Sequence, residues 1–469
     1  MLSDMLNFLI RPPEKPMTYI EFIERQIGEF RASPVRKNMI DGVRYYAGEH
    51  DILQRKRSII GEDGDLVAVE NLPNNRVVDN QYKRLVQQKV NYLAGQPIAF
   101  HSDNEAYNKC LSGIFDKGFL RMFKNIVEDS LNCGIGFVYV YYDENGDIAF
   151  KRFKPYEVIP GWADADHTKL DYLIRIYDVI YYEGRTQKTI TKVELYDKEG
   201  IRYFELKSSR LDPDPDRHDE VYMSDGVNGY NWTRIPVVAF KYNDMEIPLL
   251  RDVRSLQDGL NLVLSNFQNG MEEDVRNTIL VLRNYDGENL GEFRRNLAAY
   301  GAVKVRTVDG MDGGVETLNI EVNSENYKTV IDLLKKAIIE NGKGYDVSEL
   351  RGGGTPNQMN IQSVYSDIDL DANGMETEYQ AGFEQLLWFV DMYLVNSGQG
   401  NYEDEPVDIT FNRDMLIDES GVIDNCLKSK GILSDETILK NHPWTDDIQK
   451  EQDRLKEEGG GDYGGAFDK

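Results

Sequence analysis

Asp369-x-Asp371-x-Asn373-Gly374 sets three oxygen-bearing side chains at alternate positions ahead of a glycine, the opening half of a loop that wraps calcium. The second half fails. Position twelve is Gln380, which offers no bidentate carboxylate, and apolar residues keep helical spacing straight through the segment. The pattern therefore predicts a solvated acidic helix face rather than a metal site. Asp212, Asp214 and Asp216 also alternate, but Arg217 stands where such a loop needs glycine and Met223 where it needs glutamate. The glycine-rich runs Asn341-Gly342-Lys343-Gly344 and Arg351-Gly352-Gly353-Gly354 lack phosphate-loop spacing and the strand-to-helix context that such a loop requires. His50, His101, His167, His218 and His442 are isolated, so no local spacing pairs a base with a nucleophile or assembles a metal site. No catalytic residue, metal or cofactor is expected.

Composition narrows the classes further. The chain has 469 residues, 41% of them apolar, enough for roughly two to four domains with real cores. Its formal charge of −27, from 54 basic and 81 acidic side chains, argues against a protein that grips nucleic acid by neutralising phosphates along a basic face. It leaves open one that handles DNA without gripping it. Cys110, Cys133 and Cys426 are odd in number and far apart, which points to buried thiols in a reducing compartment. No apolar run approaches 18 residues, and the first ten residues lack the basic flank and cleavage site of a leader, so a soluble intracellular protein is expected.

The elements that must carry these residues are legible from periodicity. Ile361, Tyr365, Ile368, Ala372, Met375, Tyr379, Phe383, Leu386, Val390 and Tyr393 advance by threes and fours, predicting one helix over 360–394, roughly 50 Å long. Near the N-terminus, Thr18 and Glu21 form a capping box ahead of Ile20, Ile23, Ile27 and Phe30, and Ser33-Pro34 separates this helix from one that stops at Gly48. Further helices are predicted at 80–94 and 119–132. Strands follow at 137–142 and 148–153 around a turn, then at 172–182, 189–196 and 201–206, a polar excursion at 210–231, and a strand at 236–242. From 249 the period is helical again, with Val253, Leu256, Leu260, Val263, Phe267 and Met271 on one face and Arg254, Asp258, Asn261 and Ser265 on others. An α/β insert comes next, with strands at 278–283, 302–307 and 315–321 and a helix at 292–300. A second long helix runs from 323 or 324 to 341. After the 360–394 helix a short strand is expected at 407–411, then helices to about 458, and the Gly-rich 459–469 is expected to be disordered.

This order of parts resembles the portal proteins of long-tailed bacteriophages, across nearly the whole chain. Four stretches carry the likeness: Asn80-Gln81-Tyr82 through Asn91-Tyr92-Leu93-Ala94-Gly95-Gln96-Pro97-Ile98; Asn266-Phe267-Gln268-Asn269 through Thr278-Ile279-Leu280-Val281-Leu282; Tyr365-Ser366-Asp367-Ile368-Asp369-Leu370 with Trp388-Phe389; and Ile432-Leu433-Ser434-Asp435-Glu436-Thr437 leading to Asp446-Asp447-Ile448 and Glu451. The resemblance implies an α+β, multi-domain portal-type fold. In it, 1–247 is the wing, 248–274 and 321–341 the stem helices, and 275–320 the α/β clip. Residues 342–359 are the tunnel loop, 360–397 a long helix joining wing to crown, 398–458 the α-helical crown and 459–469 a tail.

The resemblance also implies a dodecameric ring at one capsid vertex of the virion, assembled in the bacterial cytoplasm, through which double-stranded DNA is packaged and ejected. The chain would then be no enzyme. Its partners would be the terminase large subunit, a head-completion or adaptor protein, and the scaffolding and major capsid proteins, with no membrane. Lys343, Arg351, Gly352, Gly353 and Gly354 would face the DNA. Leu256, Leu260, Val263, Phe267, Val330 and Leu334 would pack the stem, and Arg283, Arg294, Arg295, Lys304 and Arg306 would lie on the docking surface of the clip. An acidic channel wall that raises no deep electrostatic well suits DNA that must slide. The alternatives are an acidic intracellular hydrolase with a scattered active site, or another head or tail structural protein.

Overall fold

The structure, a computed structural model, describes residues 17–60, 65–68, 73–224, 227–274, 278–283, 314–319, 324–346, 358–413, 419–445, 451–452 and 454–455. Helix and sheet are mixed, and the chain divides into two compact units, one of 1–43, 84–251 and 339–469, the other of 44–83 and 252–338.

The first unit begins with the helix Tyr19–Ala32. Thr18 accepts from the Glu21 amide at 3.3 Å while the Glu21 carboxylate accepts from the Thr18 amide at 2.8 Å, the reciprocal cap expected from the sequence. Ile23 and Ile27 then pack on a five-stranded antiparallel sheet in the order Arg210–Pro213, Gly200–Lys207, Thr186–Asp197, Leu170–Glu183, Val158–Trp162, meeting Ile159, Ile174, Ile176, Val193, Leu195, Phe204 and Leu211. Arg210–Pro213 corrects part of the polar excursion. Because side chains alternate along a strand, the single inward-facing Leu211 is enough to seat it at the sheet edge while its neighbours stay wet.

A second sheet of three strands, Val237–Lys241, Ile135–Tyr142 and Ile148–Phe153, underlies the long helix Gln358–Asn396, which spans about 58 Å at the standard rise. All ten residues of the predicted apolar face, from Ile361 to Tyr393, are buried. A Cβ at Gly382 would come within 2.7 Å of the Phe240 ring, so the absence of a side chain lets the helix lie directly on the sheet. Phe123, Phe240, Phe383 and Tyr379 meet there at ring separations of 4.8 to 6.1 Å, mostly edge to face.

The second unit holds the helix Leu250–Asp274 from Asp252 onward, the two-stranded sheet Thr278–Arg283 with Gly314–Asn319, and the helix Ser324–Asn341 up to Ile338. The expected helix at 292–300 and strand at 302–307 lie outside the described residues. The burial of Leu250–Asp274 differs from expectation. Val253 and Leu260 are buried, but Leu256, Val263 and Phe267 are half-buried and Met271 is exposed. The deeply buried stripe is instead the polar series Gln257, Asn261, Ser265 and Asn269, spaced by four residues. Its side chains bind an extended segment edge to edge. Oε1 of Gln257 accepts from the Tyr82 amide at 3.0 Å, and Oδ1 of Asn261 from the Asp79 amide at 3.0 Å. Ser265 Oγ accepts from the Val77 amide at 2.9 Å, and Asn269 Oδ1 from the Asn75 amide at 2.7 Å. Gln257 also donates to the Asp79 carbonyl at 2.8 Å. The segment's backbone groups are satisfied by helix side chains in place of a sheet partner, so a polar stripe on this helix is an interior feature.

Removing one rung strands partners on both sides. Asn261→Leu is expected to lower unfolding free energy by about 2–3 kcal/mol, since the Asp79 amide and His50 Nδ1 each lose a buried partner. Leu262→Ala, at an exposed position one residue on, should cost under about 0.5 kcal/mol. Denaturant midpoints of the two variants check this, and equal midpoints would contradict it.

Candidate functional site at the foot of the long helix

Ser324–Asn341 ends in a tight reversal. The Gly344 amide returns to the Ile339 carbonyl at 2.9 Å and the Lys343 amide to Glu340 at 3.1 Å, the paired closure of a Schellman motif. That closure needs a left-handed residue, and it is Lys343, with φ 49°. Glycine would take this conformation without strain; a lysine there must be held.

What holds it is the helix Gln81–Ala94. Lys89 Nζ donates to the Lys343 carbonyl at 3.2 Å, and Gln88 Nε2 to the Tyr345 carbonyl at 2.8 Å. Between them Gly344 sits so close that a Cβ would fall 2.4 Å from Leu85 Cδ2. Tyr365 stacks on Tyr345 at 4.5 Å and on Tyr92 at 5.9 Å, tying the same turn to the start of the long helix.

The charges converge on Asp371. Its Oδ2 lies 2.5 Å from Lys89 Nζ and 3.1 Å from the Tyr242 hydroxyl, and its Oδ1 lies 3.0 Å from Lys343 Nζ. The Lys89 side chain is 1% exposed, Asp371 8% and Lys343 60%. Burial pushes the Asp371 carboxyl up, but the Lys89 ammonium and the Lys343 hydrogen bond outweigh it and hold the group below the usual carboxylate value. One turn away Arg413 binds Asp369, Glu376 at 2.8 Å and the Asn373 side chain at 2.5 Å. Tyr92 donates to Asp369 at 2.9 Å; burial first, then that carboxylate, push its phenol up to about 12.

The acidic cluster is thus a solvated face only in part: Asn373 and Gly374 are exposed and Asp369 is half-buried, but Asp371 is not solvated. The cluster's oxygens are committed to lysine, arginine and tyrosine, and Asp371 is an interior residue. The Asp214 group behaves alike: Lys192 Nζ sits 2.9 Å from both Glu205 and Asp214, so an ammonium already fills the centre of the acidic triad that Asp216 completes.

Of the residues expected to face DNA, Lys343 is placed here, while Arg351, Gly352, Gly353 and Gly354 lie outside the described residues. So do Arg294, Arg295, Lys304 and Arg306; Arg283 lies on the strand Thr278–Arg283. In the second unit Phe267 meets Tyr327 at 5.1 Å and Gly259 faces Leu334, while Val330 is exposed. Lys89, Tyr242 and Arg413 were not anticipated. A signal existed for Lys89: it falls in the apolar stripe Leu85, Val86, Val90, Leu93, where a lysine requires a buried acid.

The family described as phage portal protein, SPP1 Gp6-like, matches residues 36–463. The chain belongs to this family of phage portal proteins. It is similar to the portal protein of Bacillus phage SPP1, 28% identical over 442 residues that cover 93% of this chain and 86% of that protein. It is also similar to the portal protein of Clostridium phage phiCD119, 26% identical over 435 residues covering 90% and 93%. The chain therefore has a phage portal role. No helix among the described residues is long and apolar enough to cross a membrane.

The buried pair sets two expectations. Asp371→Leu alone should cost about 3–5 kcal/mol by stranding the Lys89 ammonium, whereas Lys89→Met with Asp371→Leu should recover most of the loss. A carboxyl lowered in the folded state contributes stability that is present above the unfolded value, about 3.9, and is lost as pH falls through the folded one. The acid limb of a melting-temperature profile should therefore be shallower in the double variant. If both profiles coincide below about pH 4, the ion pair carries no linkage. Millimolar calcium should leave the melting temperature unchanged to within about 1 °C, because the acids already hold cations.

Proposed function

We propose that twelve copies of the chain form a ring around a channel at one capsid vertex, through which double-stranded DNA enters and leaves the head. The observation that carries this is the family match from residue 36 to 463, which takes in both units apart from the N-terminal helix Tyr19–Ala32. In this reading 1–247 forms the wing, 248–274 and 321–341 the stem, 275–320 the clip, and 398–458 the crown, with 360–397 linking wing to crown and 342–359 looping toward the channel. The stem residues Leu256, Val263, Phe267, Val330 and Leu334 are at most half-buried in the isolated chain, which leaves apolar surface for a neighbouring copy. Arg283, Arg294, Arg295, Lys304 and Arg306 form the face on which the terminase large subunit docks, later replaced by an adaptor protein. The chain supplies passage and not chemistry; nucleotide hydrolysis belongs to the terminase.

Lys343 and Arg351 supply local positive contacts on an otherwise acidic wall. A chain carrying −27 repels the duplex in general, so a few lysines and arginines can guide phosphates without trapping them.

Light scattering of the purified protein should give a species near twelve times 53.9 kDa, or a neighbouring multiple; a monomer at micromolar concentration would overturn the ring. Arg351→Glu, or deletion of 352–354, should leave assembly intact while reducing the fraction of DNA-filled heads. Normal filling in both variants would remove the loop from DNA handling.

A further inference from the structure

We propose that the buried Lys89–Asp371 pair is a seat that parks the Lys343 ammonium and releases it to a phosphodiester oxygen of double-stranded DNA without leaving a buried charge unpaired. The proposal rests on the reading that DNA passes this face of the chain, and adds to it a mechanism for the single described cation expected to face the DNA.

Three observations carry it. The first is charge. Two ammonium groups share one carboxylate, and the outer member is the more loosely held: Lys89 is 1% exposed and bound at 2.5 Å, while Lys343 is 60% exposed and bound at 3.0 Å. If Lys343 leaves, Asp371 keeps Lys89 and the Tyr242 hydroxyl. If Lys89 were the one to leave, an ammonium would be pulled from the interior. Only the outer lysine is exchangeable.

The second is the strength of the parked contact. A pair that is more than half open to water on one side shifts the docked-to-released ratio by no more than about fivefold, and repulsion from Lys89 weakens it further. A phosphate offering full negative charge competes on equal terms.

The third is the backbone. The Lys343 and Tyr345 carbonyls are pinned by Lys89 and Gln88, and Gly344 is wedged against Leu85. The ammonium can therefore change partners by side-chain rotation alone, while the left-handed turn stays fixed. A helix end that served only to stop the helix would be met without strain by glycine at 343. Lysine there makes sense when its ammonium has work to do. The ligand is recognised as a point charge, with no selection of base, which suits DNA of any sequence sliding past.

The test is acetylation of lysine by an N-hydroxysuccinimide ester, read by mass spectrometry, on assembled heads that are either DNA-filled or emptied. Lys343 should react several-fold more slowly in filled heads, with Lys89 unreactive in both. Equal Lys343 rates in the two would overturn release to DNA. In emptied heads of the Lys89→Met, Asp371→Leu variant, Lys343 should react faster than in wild type, because its seat is gone; an unchanged rate would show that it was never seated. Lys343→Gly should keep the melting temperature and assembly but fill fewer heads, and Lys343→Arg should restore filling; wild-type filling by the glycine variant would also sink the proposal. Failure of the underlying reading looks different: heads lacking this chain altogether would still fill.

Discussion

An ammonium with 1% exposure is the constraint around which the foot of the long helix is arranged. Lys89 cannot be left alone in the interior, and once Asp371 is supplied the rest follows in order. The acid fixes the rotational setting of Gln358–Asn396 against Gln81–Ala94, because only one face of a helix can present it. A second Lys89 N–H reaches the Lys343 carbonyl at 3.2 Å, which pins the turn that ends Ser324–Asn341. Replacing the pair by well-packed apolar side chains would forfeit little stability, so its contribution is positional: a hydrophobic contact tolerates rotation that an ion pair with three directed partners does not.

The polar stripe Gln257, Asn261, Ser265 and Asn269 applies the same logic to uncharged groups. Each rung answers a specific amide of the 73–82 segment, so a slip of one residue would leave several buried donors unmatched at once. Leucines in those positions would bury more apolar area and define the register less sharply. Both units thus use directed polar contacts where position matters, and apolar packing, as in the cluster around Phe383, where bulk stability is needed.

The sequence was most legible where burial alone decides the pattern. The ten-residue face of the long helix, the Thr18–Glu21 cap and the hairpin strands near 137–153 and 172–206 follow from periodicity and local hydrogen bonding, and the structure extends them by only a few residues. It was least legible where a polar residue is buried by a distant partner. Asp371 and Asn261 look like surface residues because hydropathy scores the side chain and not its partner, and those partners lie 282 and 182 positions away. The edge strand Arg210–Pro213 was hidden for a related reason. The alternation of three aspartates and two prolines over 212–216 reads as a loop, yet an edge position needs only half of a strand's hydrogen bonds. At the candidate site, Lys343 was singled out only through the resemblance, and its immobilised backbone was not legible, since that depends on Gln88 and Lys89.

The charge of −27 takes on a local meaning once the cations are placed. Lys192 is enclosed by Glu205 and Asp214, Arg413 by Asp369 and Glu376, and Lys89 by Asp371. Basic groups held in this way are already matched and add little to the field outside. The excess acid therefore sets the wider potential, which is screened over about 8 Å at physiological salt, so a duplex meets a repulsive surface only once it comes within roughly that distance. Close in, the sign can change at single points where a cation is held loosely enough to turn outward. A subunit with this distribution resists non-specific adhesion along most of its surface and still offers discrete contacts. That is the electrostatic condition for guiding a polyanion without binding it, and it depends less on the number of basic residues than on how each is held.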